Sequence, residues 1–113
     1  MADAELLPGT LDLLILKSVS LGSQHGYGVL LRIQQITGQA LKIEQGALYP
    51  ALYKLETRGD LDSEWGVSDN NRKAKFYTLT PQGRKRLREE VGSWNRLTAA
   101  MAAALSAKAG ELD

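Results

Sequence analysis

Gln45, Tyr49 and Tyr53 stand four residues apart with Lys54 beside them, in a stretch whose apolar residues Leu48, Ala51, Leu52 and Leu55 also keep helical spacing. On one helix the aliphatic set forms a buried stripe, and the amide, the two phenols and the ammonium group fall off it. These groups exchange hydrogen bonds rather than break covalent ones. An amide can pair with both N6 and N7 of an adenine, a phenol or an ammonium can meet a phosphate oxygen, and an aromatic ring can lie on a thymine methyl. A second group follows, Asn71, Arg72, Lys73 and Lys75, three of them fixed cations. Catalytic groups are scarce by comparison. There is no cysteine, His25 is the single histidine, and the glycines fall singly at element ends rather than in a phosphate-cradling run. That leaves no thiol nucleophile, no thiolate metal site, no multi-histidine site within one chain and no nucleotide loop, so the chain is not expected to be an enzyme or to need a cofactor.

The two groups need elements to carry them. A helix beginning near Gln45 tolerates Pro50, because a proline close to the helix start removes at most one intrahelical bond, and Gly59 ends it. Leu61 to Trp65 and Ala74 to Thr80 carry the β-branched and aromatic residues of strands, and Gly66, Ser68, Asp69, Asn70 and Asn71 between them are turn formers. The spacing predicts a hairpin with a long tip whose return side is basic. A helix sized for a major groove beside a cationic hairpin is the geometry of a winged helix-turn-helix.

Upstream, Met1 to Leu7 is a short leader, expected to be partly ordered by packing of Leu6 and Leu7, and Pro8 to Thr10 introduce a first helix, with the Thr10 hydroxyl as its cap. That helix runs to about Ser20, and its apolar positions (Leu11, Leu14, Ile15, Val19, widened by Leu13 and Leu16) mark it as the core helix. Leu21 to Gly26 reads as a turn, Tyr27, Leu30, Ile33 and Ile36 as a second amphipathic helix closed by Gly38, and Ala40 to Ile43 as a short connection. Thr80 and Pro81 are a hydroxyl cap and a first-position proline for the last helix. Along that helix Leu87, Val91, Trp94, Thr98, Met101 and Leu105 alternate four and three apart, the seam of a two-helix contact, broadened by Leu97, Ala100 and Ala104. The seam either folds back on the first helix or pairs with a second copy, and both are compatible, with one face on each. A homodimer is expected, followed by a frayed tail from Ala107 to Asp113.

The fold class is therefore mainly α with a small β-hairpin: a winged helix-turn-helix over residues 1–80, and a C-terminal dimerisation helix and tail over 81–113. At 113 residues the chain can bury one core of its own. A formal net charge of +1 does not by itself argue for nucleic acid. The distribution argues more, with seven basic residues (Arg72, Lys73, Lys75, Arg84, Lys85, Arg86, Arg88) against Glu89 and Glu90 between positions 70 and 90. Acids at Asp3 and Glu5 speak against a signal peptide, and Asp12 and Lys17 interrupt the Leu11 to Leu21 run, so no membrane span and a cytoplasmic location are expected.

The stretches LLPGTLDLLILKSVSLG, HGYGVLLRI, QGALYPALYKLETRGDL and SEWGVSDNNRKAKFYTLTPQGRKRL, with Trp94 after them, cover nearly the whole chain. In that order they resemble the PadR-like transcriptional regulators, most closely the short acidobacterial-type subgroup. The resemblance implies a dimeric winged-helix repressor on an inverted-repeat operator in double-stranded DNA, with its C-terminal helix making the dimer. In several relatives a small aromatic or hydrophobic ligand releases the DNA, and a tryptophan on this helix sandwiches planar ligands in a related branch, which makes Trp94 the candidate effector residue beside its plain packing role. Two positions depart from the family pattern: Ala47 replaces a common serine or threonine, and Asp60, expected near the DNA surface, replaces an apolar or aromatic residue. Gln45 and Tyr49 are the expected reading contacts. Tyr53 is as readily an edge of the core, and Lys54 a phosphate contact or a solvated lysine. Arg72 and Lys73 are expected on phosphates, and Asn70 and Asn71 serve as turn residues or contacts. His25 and Tyr27 either meet a phosphate at the second helix's start or serve as a local cap and a packed ring. The alternative function is a winged-helix protein-interaction module that does not touch DNA, which a neutral or acidic wing would favour and the basic wing does not.

Overall fold

A computed structural model describes residues 9–111, so the expected packing of Leu6 and Leu7 lies outside the described residues. Four helices and a three-stranded sheet follow one another as α1 (Thr10–Ser20), β1 (Gln24–His25), α2 (Gly26–Ile36), α3 (Gln45–Thr57), β2 (Leu61–Val67), β3 (Lys73–Leu79) and α4 (Pro81–Ser106), with a closing 3₁₀ turn at Ala109–Glu111. Ile15, Leu16 and Val19 of α1, Val29 and Ile33 of α2, and Leu48, Leu52 and Leu55 of α3 form the core, each at most 3% exposed. Leu61 and Tyr77 close it from the sheet side. The apolar stripes of the three short helices thus satisfy one another, and α3 keeps its polar face outward.

Local chemistry sets the boundaries. Thr10 does not cap α1: the cap position is Gly9, in the left-handed region at φ 84°, and Thr10 is already helical. His25 caps α2 through its ring, Nδ1 accepting the Gly28 N–H at 3.1 Å. In α3, Pro50 sits inside the helix, and its ring forgoes one bond without ending it. The helix stops at Gly59, φ 89°, where the Gly59 and Asp60 amides donate back to the Glu56 and Leu55 carbonyls at 3.0 and 2.9 Å. This double closure requires a left-handed residue, which glycine supplies without steric cost.

The sheet differs from expectation in two respects. Its order is β1-β3-β2, all antiparallel, and β1 arises from the segment expected to be a turn, with Gln24 facing Tyr77 and His25 facing Phe76. The hairpin strands are also longer than expected. Gly66 is a strand residue opposite Ala74, and pairing continues to Val67 and Lys73. The tip is correspondingly short: Ser68 and Arg72 are bonded across it at 2.8 Å, and Asn71 takes the left-handed position at φ 60°, as asparagine tolerates.

Thr80 caps α4 as its sequence predicts, accepting from Gly83 N–H at 2.9 Å and donating to the Gly59 carbonyl at 2.6 Å. Leu87 packs against the core. Past it the seam is open, with Val91, Trp94, Met101 and Leu105 at 39, 38, 50 and 80% exposure. The fold-back on α1 thus ends by about Leu97, and the rest of α4 projects, stretching the molecule to 63 Å in its longest dimension. In place of a frayed tail from Ala107, the chain makes the 3₁₀ turn before its last two residues, which lie outside the described part.

Candidate nucleic-acid interface

Three elements converge on one groove of about 540 Å³, lined by His25, Gly26 and Tyr27 at the start of α2, Tyr49 of α3, and Trp65, Ser68, Asn70, Arg72, Lys73, Ala74, Lys75 and Tyr77 of the hairpin. Tyr49 reaches it by crossing the start of α2. A side chain at Gly26 would place its Cβ 2.6 Å from the Tyr49 ring, so glycine there is what permits the crossing. Tyr27 and Tyr49 are about half exposed and Tyr53 more so, while Gln45 is exposed at the first position of α3. Tyr53 is therefore not an edge of the core. His25 serves as cap and neighbour at once, its ring edge-on to Phe76 at 5.5 Å. Because Nδ1 accepts a bond, the neutral ring carries its proton on Nε2.

The cations divide into engaged and unengaged sets. Lys54 does not join the groove but pairs with Asp12 of α1 at 2.7 Å, and Lys75 pairs with Glu56 at 3.0 Å. Glu56 also accepts a short hydrogen bond from the Ser63 hydroxyl. That bond first, and Lys75 second, hold its carboxyl below the ordinary 4.5. Arg72 and Lys73 have no carboxylate in ion-pair reach among the described residues, and the Lys73 ammonium sits 5.1 Å from the Trp65 ring centroid. Within the groove, the fixed charge left for a ligand is thus that of the hairpin tip.

Asp60 is not at that surface. It is fully buried, where Arg58 Nη2, Arg86 Nε and Gln82 Nε2 approach its two oxygens at 2.9, 2.8 and 2.9 Å. Burial pushes the carboxyl up, and the bonds from Gln82 and Arg58 together with the Arg86 guanidinium beside it outweigh it, leaving the group below its ordinary 3.8. The cluster ties the end of α3, the start of β2 and the first turn of α4 together. The Gln82 amide adds a bond to the Arg58 carbonyl at 2.8 Å, and Gly83 has no room for a side chain because the Asp60 carbonyl lies against it.

Along α4, Trp94 and Leu97 face Gly9, Thr10 and Leu13 of α1 across a shallow groove of about 220 Å³ that also includes Glu90 and Ser93. Thr98, Met101 and Leu105 lie beyond it on the exposed part of the helix.

A three-helix core with a two-stranded wing, an outward-facing third helix and a cationic groove between them defines a winged helix-turn-helix protein of the DNA-binding class. The profile of the Transcriptional regulator PadR-like family matches residues 15–89. The chain belongs to that family, whose members are DNA-binding transcriptional regulators rather than enzymes. It is 39% identical over 57 residues to a transcriptional regulator of Mycobacterium tuberculosis, spanning 50% of this chain and 52% of that protein. Among solved structures, a transcriptional regulator from Clostridium thermocellum superimposes with a TM-score of 0.76 at 25% identity, covering 84% of this chain and 92% of the other. A PadR-family regulator from Eggerthella lenta does so with 0.74 at 29% identity, over 88 and 85%. Among the described residues, no helix is long and apolar enough to cross a membrane.

Proposed function

We propose that this protein is a homodimeric repressor acting in the cytoplasm, in which residues 1–80 read an inverted-repeat operator and residues 81–113 join two copies. The observation that carries the reading is the convergence of Tyr49 with Arg72 and Lys73 around one groove with no carboxylate among its lining residues, with Gln45 exposed one turn earlier on the same helix. Gln45 pairs with a base edge, the two cations hold backbone phosphates, and Tyr49, Tyr27 and His25 Nε2 meet the strand between them. Tyr53 extends the reading face along α3. Lys54 and Lys75 act indirectly, by fixing α3 to α1 and to the wing. Dimerisation buries the seam of Val91, Trp94, Thr98, Met101 and Leu105, for an isolated apolar helix face of that length is costly in water. The groove at Trp94 is smaller than the roughly 300 Å³ at which ligand pockets usually begin. A small aromatic effector would therefore need a second wall from the partner copy.

Selection of random duplexes by the wild-type protein and by Gln45→Ala tests this function. The wild type should recover an inverted repeat whose half-sites lie about 34 to 36 Å apart or a multiple of that. The variant should lose preference at one symmetric base pair per half-site, a discrimination of about 1 to 3 kcal/mol. Recovery of no inverted repeat by the wild type would refute the operator reading. An unchanged preference in the variant would remove Gln45 from the reading face.

A further inference from the structure

Trp65 is 63% exposed, although a residue of its size is ordinarily put to use in a core. Its place in β2 says where it points. Leu61, Ser63, Trp65 and Val67 alternate onto one face of the strand; Leu61 enters the core and Ser63 bonds Glu56 of α3, so that face is turned toward α3. Trp65 and Val67 overhang the helix, with Lys75 and Lys73 directly opposite them on β3. The indole forms one wall of the groove and Tyr49 and Tyr27 belong to the other, while Lys73 is held over the ring at 5.1 Å. No carboxylate is among the lining residues.

A groove that combines unengaged cations with flat apolar walls and lacks acid suits a ligand alternating anionic and apolar units at short intervals. A sugar–phosphate strand has that pattern. We propose that Trp65 is a DNA contact of the wing, its indole packing on a deoxyribose of the strand whose phosphates Arg72 and Lys73 hold, and that its ring also steers the Lys73 ammonium toward the adjoining phosphate. The inference rests on the DNA-binding reading and adds to it a residue whose contribution is apolar, hence independent of salt, unlike that of its cationic neighbours.

The test uses the full chain labelled with 5-fluorotryptophan, which gives two fluorine resonances, from Trp65 and Trp94, assigned with Trp65→Phe. The probes are a mixed-sequence duplex at low salt and, separately, polyglutamate. Duplex should shift the Trp65 resonance and shield it from solvent, and polyglutamate should not. By anisotropy of the labelled duplex, Trp65→Ala should weaken binding about 5- to 30-fold per site, as for loss of an aromatic contact to a nucleic acid, with Trp65→Phe restoring part of it and the salt slope nearly that of wild type. Duplex binding that leaves the Trp65 resonance unmoved overturns the proposal while sparing the DNA-binding reading. A shift with polyglutamate alone overturns it in favour of an acidic protein ligand. Absence of any duplex binding overturns both, so the two failures are told apart.

Discussion

Replacing Asp60 by asparagine removes one charge from the most connected buried side chain among the described residues while keeping its shape. Gln82 can still donate to the remaining carbonyl oxygen, but Arg58 and Arg86, now 2.8 to 2.9 Å from a neutral group, lose their counter-charge. Breaking a buried pair by removing one partner typically costs about 3 to 5 kcal/mol. Here the two arginine side chains are 39 and 36% exposed and can turn to water, so the cost falls at or below the bottom of that range, about 2 to 3 kcal/mol. With a urea dependence of about 1 to 3 kcal/mol/M for small proteins, the unfolding midpoint should fall by on the order of 1 to 2 M. The measurement is urea unfolding followed by far-UV circular dichroism at one fixed chain concentration, because a dimer's stability depends on concentration. The cluster also joins α3 to α4, so the variant should lose operator affinity at urea concentrations far below its midpoint. A midpoint lowered by less than about 0.3 M with an unchanged slope would mean that the three contacts contribute nothing beyond what water offers the separated groups, and the argument from burial would fail.

Sedimentation of a Val91→Glu, Met101→Glu double variant should show monomer, because the carboxylates would be buried without partners; a dimer of unchanged affinity would place the interface off α4. Arg72→Ala with Lys73→Ala should weaken specific and nonspecific duplexes alike and flatten log affinity against log salt by roughly 1 to 2 per chain; an unmoved slope takes the wing off the backbone. Acid should destabilise the fold in a set window. Asp60 and Glu56 have folded pKa values below their ordinary 3.8 and 4.5, so their contribution is complete above those values and is lost as pH falls through the folded ones. The urea midpoint of the wild type should therefore hold down to about pH 5 and drop below about pH 4.5, and Asp60→Asn should show a smaller drop; identical acid profiles would exclude Asp60 from the effect.

What was legible in the sequence was what neighbouring residues decide. The stripe of Leu48, Leu52 and Leu55, the stop at Gly59 and the Thr80–Pro81 start each depend on a few adjacent positions, and each holds. β1 was not legible, because two residues carry no periodicity and Gln24 and His25 become a strand only when β3 arrives beside them. Asp60 was misplaced, and the ion pairs of Lys54 and Lys75 went unseen, for a related reason. A charged residue reads as surface until its partner is known, and the partners Asp12, Glu56 and Arg86 come from other helices. Gly66 looked like a turn residue by type, yet Phe76 lies against it within the sheet. Trp65 counted only as a strand former, although its alternation with Leu61 and Ser63 already placed it on the face turned to α3.

The division of the cations bears on how such a protein would move through a chromosome. With Lys54, Lys75 and Arg86 engaged by Asp12, Glu56 and Asp60, the charge left at the groove is Arg72 and Lys73, four positive groups in the proposed pair of chains. At about 0.9 released counter-ions per contact, those four would contribute roughly 3.6 to the salt exponent, a modest share beside the value of about 10 found for a strongly basic repressor. Attachment to arbitrary sequence would accordingly be brief, and long sliding excursions would give way to frequent detachment and re-encounter. A regulator built this way would tolerate swings in potassium concentration better than a highly cationic one, and discrimination between sites would fall to the proposed reading face of α3.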